Sequence, residues 1–288
     1  MMRKKIALIT GTNSGFGWLT AKSVAALGHT VYATMRDSQG KNVAKAQALS
    51  AIENITVLDV ALTNEDSVQK AINTIVSKEG TIDILVNNAG FSRNGVAESF
   101  TTGDLQEMLD INVIAPWRLM KLVLPYMRMQ SDGLIINITS GFGRVSFPFA
   151  SMYSASKFGL EGISEGLHYE VRPLGVDVAI LQPGAFPTEM SQKLSFGSDT
   201  SVVDAYQPIA DFPNQMGAAV GKAFETLNPN PQDVADAVVN LIKLPKGQRP
   251  LRTNVDPFTG QYITAVNEAV QNEYNKTLTA FGMGELLK

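Results

Sequence analysis

The sequence predicts an α/β fold: a single domain on a doubly wound parallel sheet of about seven strands, with helices on both faces. Three observations predict it. Short β-branched runs alternate with longer segments of helical periodicity, and the first run opens directly into a glycine-rich turn and a helix. In addition, 288 residues with 44% hydrophobic side chains suffice for one sizeable core.

The strands are expected at residues 5–10, 30–34, 55–58, 82–87, 134–138 and 176–182, with a shorter one near 249–252. Helices fill the gaps. Val68, Ile72, Ile75 and Val76 recur at helical spacing after the third strand, as do Leu160, Ile163, Leu167 and Val171 after the fifth. The earlier of these helices has its start signal at Asn64, followed by Glu65 and Asp66 in the first turn. After Pro187 the periodicity breaks, and a clear helix resumes only near Asp233. A stretch this long without a pattern predicts a substrate lid over residues 187–230, inserted in the single domain 1–288.

Composition narrows the function. The 24 basic and 27 acidic residues give a net charge of -3, no field for nucleic acid or a membrane surface, so the expected partner is a small molecule. The lack of cysteine excludes disulfides, thiolate-held metals and a cysteine nucleophile. With only His29 and His168, no histidine-built metal site is expected. The basic residues 1–5 precede an apolar run, Ile6 to Ile9, far shorter than a signal-peptide core. No stretch approaches the roughly 20 apolar residues of a membrane span, and a cytoplasmic location is expected.

The turn after the first strand reads Thr10-Gly11-Thr12-Asn13-Ser14-Gly15-Phe16-Gly17. Gly11 permits the tight turn, Gly15 lets the backbone approach a pyrophosphate, and Gly17 lets the helix pack on the strand, so that the helix N-terminus faces the phosphates. At the end of the second strand an acid would bind a ribose 2′-hydroxyl and an arginine would accept a 2′-phosphate. Met35 stands where the acid is expected and Arg36 follows. That pattern favours NADP, with NAD as the alternative if Arg36 is a solvated charge paired with Asp37.

Tyr153 and Lys157 are four residues apart at the start of a predicted helix and share a face. A free phenol, with a pKa near 10, is a poor base at neutral pH. An ammonium about 5 Å away at an effective dielectric near 20 would favour the phenolate by roughly 3 kcal/mol, or about two pKa units. Tyr-x-x-x-Lys alone is common on helices, but here Ser140 follows the fifth strand, Asn87-Asn88-Ala89-Gly90 closes the fourth and Pro183-Gly184 follows the sixth. All lie at the carboxyl edge, where parallel sheets hold ligands.

With these motifs together, from residue 5 to about Thr188, the sequence resembles the short-chain dehydrogenase/reductase family, in the subfamily with Thr-Gly-x-x-x-Gly-x-Gly and Tyr-x-x-x-Lys. The resemblance implies a Rossmann-type fold and an NAD(P)-dependent interconversion of a ketone or aldehyde with an alcohol. It implies Tyr153 as the acid/base, Lys157 as the residue that lowers its pKa and holds the nicotinamide ribose, Ser140 as the hydroxyl orienting the carbonyl, and Asn112 as the holder of a water that links the lysine to solvent. Asp59 and Val60 resemble the pair at adenine, Asn87, Ala89 and Gly90 the segment beside the ribose, and Pro183, Gly184, Phe186 and Thr188 the segment at the carboxamide. Phe16 and Phe186 depart from the family, which more often has aliphatic residues there, and Trp18 is also unusual.

Read alone, Asn112 would bond within its helix, Asp59 end a strand and Ser140 form a turn. Phe142, Val145, Phe147, Phe149, Met190, Phe196, Phe212 and Met216 are either core or the wall of a pocket for a bulky apolar substrate. The stretch from Tyr153 to Val176 is similar to the branch of steroid 17β-dehydrogenases and retinol dehydrogenases. Gly159, Gly162 and Gly166 would admit a second helix, and the family commonly assembles through this helix and the one carrying Asn112, so a homodimer or homotetramer is expected. The rival is a catalytically silent nucleotide sensor on the same fold, disfavoured by the joint presence of Tyr153, Lys157, Ser140 and Asn112. Epimerases and dehydratases with a shorter glycine signature, and enoyl reductases with wider Tyr–Lys spacing, fit less well.

Overall fold

The computed structural model describes residues 3–192 and 195–287. Seven parallel strands form one sheet in the order β3-β2-β1-β4-β5-β6-β7: β1 (Ile6–Thr10), β2 (Thr30–Met35), β3 (Ile55–Asp59), β4 (Ile84–Asn87), β5 (Gly133–Ile138), β6 (Val176–Pro183) and β7 (Arg252–Val255). The order reverses between β1 and β4. Such a switch point opens a crevice beyond the strand ends, which is where ligands of this architecture sit.

Each strand alternates between two cores. Ala7 and Ile9 of β1 face one layer, where α1 (Gly15–Ala26) contributes Ala21 and Val24, α2 (Val43–Ser50) contributes Leu49 and α9 (Gln232–Lys243) contributes Val234 and Val238. Leu8 faces the other, with Val68 and Ile72 of α3 (Glu65–Glu79), Val123 of α5 (Ala115–Met129) and Leu160 of α6 (Ser151–Val171). Strands buried on both faces explain why they read as continuous apolar runs. Trp18 packs, partly buried, against the first core.

The expected start of α3 holds in detail: Asn64 accepts from Ser67 N at 2.8 Å, and Gly80 ends the helix with φ +79°. Between α4 (Thr102–Leu109) and α5, the residues Asp110–Ile114 widen into a π-helical turn that contains Asn112.

Three elements differ from expectation. β7 lies at Arg252–Val255 rather than near 249–252, because Arg249 is buried against Asp177 Oδ2 (2.5 Å) and Leu241 O (2.9 Å) before the strand begins. The segment 187–230, of which residues 193 and 194 lie outside the described residues, is not irregular. It contains α7 (Glu189–Gln192), a 3-10 stretch (Val203–Ile209) and the 16-residue α8 (Phe212–Leu227). Pro213, Gly217 and Gly221 depress the local helix signal, and the apolar row Phe212, Met216, Val220 and Phe224 of α8 stays exposed or half-buried, with Ala223 its one buried residue. A long α10 (Gly260–Ala280), not expected, packs Ile263 over Gly141. Among the described residues, no helix is long and apolar enough to cross a membrane.

Candidate active site

The carboxyl ends of β1, β4, β5 and β6 meet around the glycine turn. Gly11 and Gly15 have φ +67° and +54°, the left-handed region that favours glycine. A Cβ on Gly17 would lie 2.3 Å from Gly11 O and 2.4 Å from Asn88 Nδ2, so α1 rests directly on the turn. One on Gly11 would lie 2.8 Å from Ala89 Cα. Ser14 begins α1 with no side-chain cap, and the first helical turn carries no acid, which leaves its N–H groups aimed into the crevice. Asn13 is half-buried beside them. Bare glycine backbone and an uncapped helix N-terminus fit a dinucleotide pyrophosphate. Thr188 overhangs this turn, 3.6 Å from where a Gly15 Cβ would sit, and Lys45 of α2 pairs with Glu189 of α7 at 2.6 Å. Phe16 and Phe186 meet edge-on with ring centres 5.5 Å apart, so both departures from the family pattern serve one contact.

Arg36 is exposed at the end of β2, and the Asp37 carboxylate turns back on Lys41 N at 3.0 Å. Asp59 holds this turn: its oxygens accept from Asp37 N (3.1 Å), Ser38 N (2.7 Å) and Ser38 Oγ (2.9 Å). Val60 is buried in the core, with its N–H on Met35 O at 2.9 Å. Both residues, expected at adenine, lie at the β2–β3 edge of the crevice. The Asn87 side chain is buried and donates to Asn137 Oδ1 at 2.8 Å, so what its position can offer the crevice is backbone. Asn88 of the same segment ties β4 to the glycine turn through Thr10 O (2.8 Å) and Gly11 O (3.1 Å). Gly184 packs against Asp256 beyond β7, and Pro183 is buried.

Ser140, Tyr153, Lys157 and Asn112 come together. The Ser140 hydroxyl accepts from Phe142 N at 3.2 Å and is close enough to the Tyr153 phenol to favour its ionised form. Lys157 Nζ donates to Ile138 O at 3.0 Å and lies 5.8 Å from the Tyr153 ring centre. A Cβ on Gly90 would lie 3.0 Å from Asn112 Oδ1 and 3.6 Å from Lys157 Nζ. From the π-turn, the Asn112 side chain reaches outside its own helix: Oδ1 accepts from Phe91 N (3.1 Å), and Nδ2 donates to Phe91 O (2.9 Å) and Ser156 Oγ (3.0 Å).

The expected direction of the tyrosine shift is reversed. Burial pushes the Tyr153 phenol up to about 12, and the neighbouring Ser140 hydroxyl opposes this only in part. Lys157 is itself lowered to about 8 by burial, with Glu161 acting in the opposite sense. With its ammonium held on the Ile138 carbonyl, the lysine does not outweigh the desolvation of the phenolate.

Beside Tyr153 stands an aromatic wall. Phe142 stacks on Phe147 with centres 5.0 Å apart and planes 7° apart, and meets Tyr153 edge-on at 6.4 Å. Phe147 is 40% exposed, Met190 45%, Phe196 59% and Phe212 51%, so these four are not core. Asn94 and Phe196 form a parallel bridge that joins the 187–230 segment to the loop after β4.

A family model described as short chain dehydrogenase matches residues 5–198. The chain is 36% identical over 242 residues to a 3-ketodihydrosphingosine reductase of Bacteroides thetaiotaomicron, covering 79% of this chain and 86% of that protein. It is 32% identical over 257 residues to human retinol dehydrogenase 8, covering 87% and 82%. Its fold is similar to that of a solved short-chain dehydrogenase from Streptomyces avermitilis, with a TM-score of 0.76 and 28% identity over 99% of each chain.

Proposed function

The chain belongs to the short-chain dehydrogenase family, and from that premise we propose that it interconverts a bulky apolar ketone with its alcohol, using NADP(H) and Tyr153 as the proton donor and acceptor. The observation that carries this reading is the meeting of Ser140, Tyr153 and the buried Lys157 ammonium, 5.8 Å from the Tyr153 ring centre, at one end of a crevice floored by bare glycine backbone. A nicotinamide dinucleotide would supply or accept the hydride at the substrate carbon. Gly11, Gly15, Gly17 and the start of α1 would hold its pyrophosphate, and Arg36, exposed at the end of β2, a 2′-phosphate.

The chain's own groups do the rest. Ser140 orients the carbonyl oxygen toward Tyr153. At neutral pH the raised phenol carries its proton, the form needed to protonate the alkoxide oxygen in reduction. In oxidation the phenolate removes that proton, a form stabilised by the neighbouring ammonium. The Phe142–Phe147 wall and the exposed apolar side chains of the 187–230 segment form an apolar pocket once that segment covers the site as a lid. The names of two relatives, a 3-ketodihydrosphingosine reductase and a retinol dehydrogenase, support a substrate of that character.

We also propose a homo-oligomer. Gly162 and Gly166 of α6 have open space where a Cβ would stand, and Phe158, Trp117 and Ile114 are exposed on α6, α5 and the π-turn. Sedimentation at micromolar concentration tests this, and a monomer throughout contradicts it. The functional reading is tested by a turnover screen of ketones from small aliphatic to steroid-sized with NADPH and NADH. Faster turnover of large apolar ketones supports it, and faster turnover of sugars or charged acids rejects the substrate class.

A further inference from the structure

Tyr153, Lys157 and Glu161 follow one another at intervals of four along α6, so they share a face. That face meets three consecutive residues at the end of β5. Ile138 O accepts from Lys157 Nζ at 3.0 Å, Thr139 Oγ1 donates to Glu161 Oε1 at 2.8 Å, and Ser140 stands beside the Tyr153 phenol and lowers its pKa. The turn beyond Ser140 rests on the same face, since a Cβ on Gly143 would lie 2.9 Å from Glu161 Cγ and 3.1 Å from Lys157 O.

Glu161 is only 2% exposed. Burying a lone carboxylate costs several kcal/mol, and this one is fully partnered. Besides Thr139, Oε1 accepts from Gln182 Nε2 at 2.8 Å, and Oε2 accepts from Arg252 Nε at 2.9 Å, so a single side chain joins α6 to the ends of β5 and β6 and to β7. Arg252 also pairs with Glu165 at 3.0 Å. An ion pair kept this deep is poor value as a stability device, because apolar replacement is often neutral or better. Its location at the end of β5 is what sets it apart.

We propose that Glu161, held by Arg252, is a positioning residue: it fixes residues 138–140 so that one carbonyl receives Lys157 and the next hydroxyl but one meets Tyr153, and its charge keeps the buried lysine an ammonium. The inference rests on the reading that these residues carry the chemistry. Tyr153 lies beside Lys157, and Glu161 is the charged group that acts on it; Glu161 itself lies among Glu165 on α6, Arg144 after β5 and Arg252 on β7, with Tyr274 of α10 beside Glu165 and Arg252. Arg144, bonded through Nε to Asn267 Oδ1 at 3.0 Å, and Arg252 both add positive charge. Without Glu161, Lys157 loses the one charge that favours its ammonium form.

The test is Glu161→Gln in the full chain, which keeps the shape and removes the charge. Two quantities are read: kcat and KM against pH with NADPH and the best ketone of the screen, and the Lys157 titration midpoint in the cofactor-free protein, by NMR of 13C-labelled lysine assigned with Lys157→Arg. We expect kcat to fall about tenfold or more with KM changed less than about threefold, as misplacement of reacting groups produces. The Lys157 midpoint should move about one unit below that of the unmutated chain. Arg252→Lys, which keeps a cation but not the forked contact, should lower kcat in the same sense and serves if Glu161→Gln does not fold. Unchanged kcat and an unchanged Lys157 midpoint in the folded variant overturn the proposal. An unmutated chain that reduces no ketone overturns the functional reading instead, and the midpoint still decides whether Glu161 holds the lysine charged.

Discussion

The Lys157 ammonium lies 5.8 Å from the centre of the Tyr153 ring and donates to Ile138 O at 3.0 Å, so the lysine is held by the end of β5 as much as it faces the phenol. Its pKa falls from 10.5 to about 8 because burial penalises the charge. For a lysine lowered on folding, the unfolded chain binds more protons between those two values. The cost of the buried charge is therefore complete below pH 8 and disappears as the pH rises toward 10.5. Lys157→Met should be more stable than the unmutated chain at pH 7, by up to about 3 kcal/mol less about 1 kcal/mol for the lost hydrogen bond. The advantage should shrink by pH 9.5. Urea titrations at both pH values check this, and a difference independent of pH contradicts it.

Gly17→Ala places a methyl group 2.3 Å from Gly11 O and 2.4 Å from Asn88 Nδ2, and Asn88 is itself held by Thr10 O and Gly11 O. Neither neighbour can yield without moving the turn. The variant should lose about 1–3 kcal/mol of stability and bind NADPH at least about tenfold more weakly in a fluorescence titration. Unchanged affinity would remove the glycine turn from the cofactor site.

Arg36→Ala should weaken NADPH and leave NADH nearly unaltered, narrowing the gap by about tenfold for one lost charge-assisted contact. Equal affinities for the two cofactors in the unmutated chain take Arg36 out of this role.

Asp104 is 5% exposed and stitches the 187–230 segment to the body, accepting from Ser198 N (3.1 Å), Ser198 Oγ (2.6 Å), Thr101 N (2.9 Å) and Arg93. Asp104→Ala should cost about 2–3 kcal/mol, since Arg93 loses its buried partner. Limited proteolysis should then cut residues 195–212 faster than in the unmutated chain. An unchanged cleavage rate there shows that other contacts hold the segment.

The alternating strands and the α3 and α6 periodicities were legible because both faces of the sheet are buried and each helix shows an apolar stripe. α8 was not, because it buries a single alanine and begins Phe212-Pro213 with two internal glycines. The catalytic cluster was legible through local spacing, as Tyr153 and Lys157 are one turn apart and Ser140 follows a strand. Glu161 was not, because the contacts that define it, Thr139, Gln182 and Arg252, lie 21 to 91 residues away in sequence and only the sheet order unites them. The direction of the Asn87 side chain was not legible either: it sits at the expected strand end, and the pleat turns it inward to Asn137.

Tyr153→Phe removes one oxygen from the junction of Ser140 and Lys157 and leaves the ring against Phe142. Measured with NADPH and the best ketone of the screen, kcat should fall at least about 1,000-fold, within the range that loss of a positioned acid together with its carbonyl contact can cost, while the NADPH dissociation constant stays within about threefold. Turnover equal to that of the unmutated chain would contradict the assignment of Tyr153 as the proton donor.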